Sequence, residues 1–166
     1  MKADFLKPFI KSVSAVMENM VGEKPKTGTL YFRAPEDPFH RADVAIIVKV
    51  SGSVSGNVVM SMDLHSAKAL ATRILCQENV FFVFDEDANS ALGEMANIIT
   101  AGATIGLCEA GYPCDIDCPE VMYLPALDAL RETSRNAIVI PLKLSFGDME
   151  LSLSLEETAV AIARAS

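Results

Sequence analysis

The chain has 166 residues, 51% of them apolar, and a formal net charge of −8 at pH 7. That length fits one domain, residues 1–166, with a core of useful size, and the apolar content is far from that of disordered chains. The negative charge argues against nucleic acid and against an anionic membrane as partners, since both need clustered Lys and Arg.

No apolar run approaches the roughly 20 residues that span a bilayer, so no membrane partner is expected. Charged residues interrupt the apolar positions from Met1 to Pro8, unlike a signal peptide, and a cytoplasmic chain is expected. The four cysteines are Cys76, Cys108, Cys114 and Cys118. They lack the paired spacing of a zinc site and lie far from His40 and His65, so no metal site is assigned; reduced, mostly buried thiols are expected.

In chain order, Phe5, Leu6, Phe9, Val13, Val16, Met17 and Met20 recur at helical spacing over residues 4–20. Pro8 falls in the first turns, where its missing N–H costs least, and Gly22 offers a stop. Residues 22–28 read as a loop, Thr29 to Phe32 as a short strand, and Ala34 to His40, with Pro35 and Pro38, as an irregular excursion. Ala42 to Val50 reads as a buried strand, residues 51–56 as a turn and Asn57 to Met62 as a strand. These three strands are expected to form an antiparallel meander.

Asp63 is placed to cap a helix through Leu75. Phe81 to Phe84 is a brief apolar link. Asp85, Glu86 and Asp87 open a long helix to about Ala110, with acidic residues where the helix dipole favours them, and Gly111 and Pro113 close it. Strands follow at Asp115 to Tyr123, Ala137 to Leu144 and Met149 to Leu155. Residues 146–148 turn between the last two, and residues 156–166 read as a short helical tail. The last strand alternates Leu151, Leu153 and Leu155 with Ser152 and Ser154, which fits a sheet edge with exposed serines.

The expected fold is therefore α+β: a six-stranded antiparallel sheet built from two related helix-plus-three-strand halves, with the long helices on one face. No phosphate loop, G-x-S-x-G or H-E-x-x-H occurs. His40 and His65 fit surface positions better than a catalytic base.

What stands out lies on the long helix. Ser90, Glu94 and Asn97 recur at i, i+4 and i+7, which puts them within one narrow arc. Ala88, Leu92, Met95, Ala96, Ile99 and Ala103 fall on the opposite side. Asn is a poor residue inside a helix because its side chain competes for backbone hydrogen bonds, so Asn97 asks for a reason. The bland reading is a solvated face with an accidental Asn, since Glu86 and Asn89 repeat the spacing nearby.

Here the chain resembles the CheC/CheX/FliY family of bacterial chemotaxis phosphatases, its CheX-like branch most closely. The family motif places Asp or Ser, then Glu, then Asn at the spacing of Ser90, Glu94 and Asn97. A later Pro matches Pro119, one residue ahead of the family's spacing. Val50 to Met62, Ile138 to Pro141 and Gly147 to Leu155 are similar to the family's hairpin and closing strands. A second E-x-x-N, present in the first helix of CheC-like members, is lost here: Asn19 is present, but Val16 stands at the Glu position.

The resemblance implies hydrolysis of the aspartyl phosphate of a CheY-like response regulator. It gives Asn97 the role of orienting the attacking water and Glu94 that of pairing with the regulator's Lys. Ser90, Ala101 and Pro119 would border the contact, and the small Gly93 and Ala101 would let the partner approach. No cofactor of its own is implied, the magnesium being supplied by the regulator. A homodimer is implied as well. The alternatives are a docking or scaffold domain without catalysis and, with less support, a small-molecule sensor.

Overall fold

The computed structural model describes residues 3–33, 42–77, 85–123 and 136–158. A 3-10 turn at Ala3–Phe5 leads into α1 (Leu6–Val21). Gly22, in the left-handed region at φ 74°, ends α1 and donates its N–H to the Glu18 carbonyl at 3.1 Å. Strands β1 (Lys26–Thr27), β2 (Tyr31–Phe32), β3 (Val44–Gly52) and β4 (Val54–Met62) follow. Next come α2 (Leu64–Ile74), α3 (Glu86–Glu109), β5 (Cys114–Ile116), β6 (Glu120–Tyr123), β7 (Ile138–Leu144) and β8 (Gly147–Glu157).

All pairings in the sheet are antiparallel, and its order is β1-β7-β8-β4-β3-β5, with β2 also on β7 and β6 also on β3. It therefore has six lanes, as expected, but each outer lane is broken into two short strands. The expected first meander does not form. The strand before β3 crosses to the far edge and pairs with β7, while the strand before β7 crosses back and pairs with β3.

The two halves thus exchange their first strands across the β4–β8 seam. Both outer lanes also slip at the same place. From Thr27 to Tyr31 the chain advances four residues while β7 advances three, from Leu142 to Val139. From Ile116 to Glu120 it advances four while β3 advances three, from Val50 to Ile47. Each is a one-residue bulge, and matched bulges support the reading of two related halves.

α1, α2 and α3 bury their apolar faces on one side of the sheet. There Val44, Ile46, Val48 and Val50 of β3, Val58 and Met60 of β4, and Leu151, Leu153 and Leu155 of β8 meet Phe9, Val13, Leu92, Met95 and Ile99. The other sheet face carries a smaller cluster of Ala42, Ala45, Ile47 and Val59. On that face Arg33 is 4% exposed and donates to Glu150 Oε2 at 2.6 Å, while the Tyr31 hydroxyl donates to Glu150 Oε1 at 2.7 Å.

Several expectations need correction. β8 is a central strand between β7 and β4, so Ser152 is buried at 1% exposure and Ser154 is half-buried; neither marks an edge. The ladder of β8 runs on through Glu157, so the expected tail does not begin at residue 156, and residues 159–166 lie outside the described residues. The β3–β4 turn is tighter than expected, because β4 already begins at Val54. Gly52, at φ 118°, ends β3 at this turn, and Gly56 lets β4 close onto β8: at φ 144°, a Cβ there would sit 1.9 Å from the Ser154 carbonyl oxygen. The loop expected over 22–28 contains β1. The Pro-rich excursion with His40 and the Phe81 to Phe84 link lie outside the described residues.

Contrary to the sequence expectation, one helix, α3, is long and apolar enough to cross a membrane by length and composition. Half of its most apolar stretch is buried within the protein, as befits the helix that anchors the core. The cysteines also depart from expectation: all four are free, but Cys76, Cys108 and Cys118 are exposed and Cys114 half-buried. They sit at element ends and in the β5–β6 bulge, where the chain meets solvent.

Candidate functional site

α3 starts where Asp85 folds back as its cap, the carboxylate accepting from the Ala88 N–H at 3.0 Å. Glu86 and Asp87 follow in the exposed first turn. The expected apolar stripe is buried throughout: Ala88, Leu92, Met95, Ala96, Ile99 and Ala103. With that face locked onto the sheet, the opposite face must point outward.

Ser90 and Glu94 are exposed, and Asn97 and Ala101 are half-buried. Among the described residues, neither Glu94 nor Asn97 makes a hydrogen bond or ion pair. Their side chains stand one turn apart, roughly 5–6 Å between Cβ atoms by helix geometry. A carboxylate and an amide so placed are available to another molecule.

The flanks of this ridge are fixed by packing. On one side the Tyr123 hydroxyl of β6 donates to Asn89 Oδ1, and desolvation holds that phenol above its ordinary pKa, so it remains a donor. On the same side a Cβ at Gly93 would lie 3.9 Å from Val121 Cγ2, an ordinary contact. On the other side Ser12 of α1 donates to the Ile99 carbonyl at 2.7 Å. Thr100 and Thr104 spend their hydroxyls on α3's own carbonyls, at Ala96 and Ala101.

Pro119 sits, half-buried, in the bulge between β5 and β6, where no ladder N–H is required of it. In α1, Asn19 is exposed but Val16 is buried in the core, so no second carboxylate–amide pair forms there. His65 is exposed, and His40 lies outside the described residues. Among the described residues no three His, Cys, Asp or Glu gather as a metal site. Sequence reasoning missed Ile98 and Ile105, which stand on the exposed side of α3 at 40% and 62% exposure.

A family model described as chemotaxis phosphatase CheX matches residues 44–143, more than half of the chain. The chain belongs to the CheX family. No curated protein matches it. Among solved structures, a CheC-like superfamily protein from Shewanella sp. PV-4 is similar with 21% identity and a TM-score of 0.77, covering 94% of this chain and 99% of that one. A chemotaxis protein CheX from Desulfovibrio desulfuricans gives 23% identity and a TM-score of 0.76, over 92% and 99%. The CheX–CheY–BeF3–Mg2+ complex of Borrelia burgdorferi gives 22% and 0.76, over 94% and 100%. At these identities the structures bear on the fold, and they share the CheX-like α+β architecture described above.

Proposed function

We propose that this CheX-family chain removes the aspartyl phosphate from a CheY-like response regulator, with Asn97 orienting the hydrolytic water and Glu94 docking the regulator's Lys. Water attacks phosphorus in line, the bond from phosphorus to the acyl oxygen breaks, and the regulator's Asp leaves as a carboxylate. An acyl phosphate is already activated, so positioning is the main contribution needed. The Asn97 carboxamide suits it, because it can accept from the water through oxygen and donate to the phosphoryl group through nitrogen.

The observation that carries this reading is the outward-facing Glu94 and Asn97, without partners among the described residues, on a helix whose other face is locked in the core. A ridge, unlike a pocket, can enter another protein's site. Ser90, Ala101 and Pro119 would border the contact. The divalent ion belongs to the regulator's site, so the chain needs no cofactor of its own, and the target places it in the cytoplasm. A single domain over residues 1–166 fits the continuous sheet. Homodimerisation would use a sheet edge; Phe32 on the β2 edge, 73% exposed, is one candidate contact, and sedimentation tests it.

The deciding experiment is the decay of a phosphorylated CheY-type receiver with and without the protein. Wild type should accelerate it. Asn97→Ala should lose on the order of a hundredfold while still binding. Normal acceleration by Asn97→Ala removes the water-orienting role. Binding without acceleration by wild type leaves a docking domain.

A further inference from the structure

We infer that the ridge bearing Glu94 and Asn97 continues into an apolar docking strip, formed by Ile98 and Ile105, which the phosphorylated receiver covers on binding. This rests on the function proposed above and adds what holds the receiver in one orientation.

Ile98 and Ile105 are the most exposed large apolar residues of α3. Between them the helix carries Gly102, so the two side chains stand as prongs on either side of a notch. Lys11 and Ala15 of α1 form the far wall of this shallow groove, and Ser12 contributes to its floor. Gly102 also keeps that floor low: a Cβ there would lie 2.5 Å from Ser12 Oγ. A single apolar side chain of a partner fits such a notch.

The occupant follows from distance. Ile98 is the residue after Asn97, and Ile105 is eight residues on, about 12 Å along the axis at 1.5 Å per residue. A protein docked with a usual footprint of about 800 Å² per partner covers a patch roughly 30 Å across. Centred on Glu94 and Asn97, that footprint reaches both isoleucines.

Charge fixes the polarity. The ridge is acidic before Asn97, with exposed Glu86, Asp87 and Glu94; after it come Ile98 and Ile105, and the next acid, Glu109, stands only at the far end of α3, in the groove that Lys11 also lines. Its partner therefore offers a cation at one end of the contact and apolar side chains at the other. A receiver whose Lys meets Glu94 must set an apolar flank over Ile98 and Ile105. Reversal would desolvate carboxylates against apolar surface, at a cost no contact there repays.

The test is titration of the full chain with CheY-type receivers of the same cell, loaded with beryllofluoride and Mg2+. Ile98→Ser combined with Ile105→Ser should weaken binding about tenfold or more. The dephosphorylation rate at saturating protein should change by less than about threefold, because neither side chain reaches the phosphorus. Leu64→Ser, at the start of α2 and 38% exposed, supplies an exposed apolar loss elsewhere and should change neither. An affinity within about twofold of wild type, or an equal loss in Leu64→Ser, overturns the docking strip. Wild type that binds but does not accelerate decay sinks the catalytic reading alone, and the affinity comparison still decides the strip. Wild type that binds none of these receivers overturns both.

Discussion

The Ser12 hydroxyl of α1 donates to the Ile99 carbonyl of α3 at 2.7 Å, directly across from Gly102. This bond sets how closely the two helices approach beside the ridge of Glu94 and Asn97. Alanine at an exposed helix position ordinarily gains up to about 1 kcal/mol over glycine. Here its Cβ would meet Ser12 Oγ at 2.5 Å, so the hydroxyl must swing away and lose its acceptor. Gly102→Ala should therefore destabilise by about 1 kcal/mol in the wild type, yet stabilise by about 0.5–1 kcal/mol once Ser12→Ala removes the obstacle. Urea unfolding of the four proteins measures the coupling. Additive effects would mean that the two helices do not meet as described.

On the other sheet face the buried Arg33 pairs with the Glu150 carboxylate. Its Nη2 donates to Glu150 Oε2 at 2.6 Å, with the arginine 4% and the glutamate 33% exposed. Removing one partner of a buried pair costs about 3–5 kcal/mol because the other charge stays behind. Partial exposure of Glu150 lowers that, so Glu150→Ala should cost about 2–3 kcal/mol. Tyr31 loses an acceptor in the same variant. Replacing both charges, as in Arg33→Met with Glu150→Leu, should recover much of the loss. A Glu150→Ala protein with unchanged thermal stability would show that the pair contributes nothing.

Much of this was legible in the sequence because the signals are local. The period of 3.6 in α3 sorted Leu92, Met95 and Ile99 from Ser90, Glu94 and Asn97, and burial follows that sorting. The exchange of β2 and β6 between halves was not legible. Pairing across more than a hundred residues, such as Tyr31 with Val139, leaves no periodic trace. Ser152 misled because alternation with Leu151 and Leu153 reads as one wet face; serine is small enough to be buried, and Arg33 Nη2 lies 3.4 Å from its hydroxyl. Ile98 and Ile105 were passed over because an apolar residue in a long helix is ordinarily assigned to the core.

If Glu94 pairs with a cation of the regulator, its contribution must weaken with salt. An exposed ion pair gains little energy in water, but it steers association and sets register. Glu94→Gln keeps the side-chain size and should weaken receiver binding several-fold at low salt. By about 0.5 M salt the difference from wild type should shrink to less than twofold. Affinity measured across a salt series checks this. A salt-independent deficit would point to lost packing and away from charge.

The thiols offer an independent check on the β5 edge. Cys114 opens β5, is half-buried, and donates its S–H to the Tyr112 carbonyl at 2.9 Å. Burial raises its pKa above the ordinary thiol value, with the neighbouring Cys108 and Asp115 adding to the rise. The thiolate is the species that reacts, so raising the pKa slows alkylation and moves its onset to higher pH. Mass spectrometry of the native protein treated with iodoacetamide near pH 8 should show Cys76, Cys108 and Cys118 modified well before Cys114. Raising the pH should narrow the gap, because it restores the missing thiolate. The sign for stability follows: the folded chain holds this proton more tightly than the unfolded one. The resulting stabilisation is present below the unfolded thiol pKa and fades as pH rises through the folded value. Cys114→Ser should flatten that alkaline loss. Equal labelling of all four thiols in the native protein would place Cys114 in solvent and remove β5 from the edge of β3.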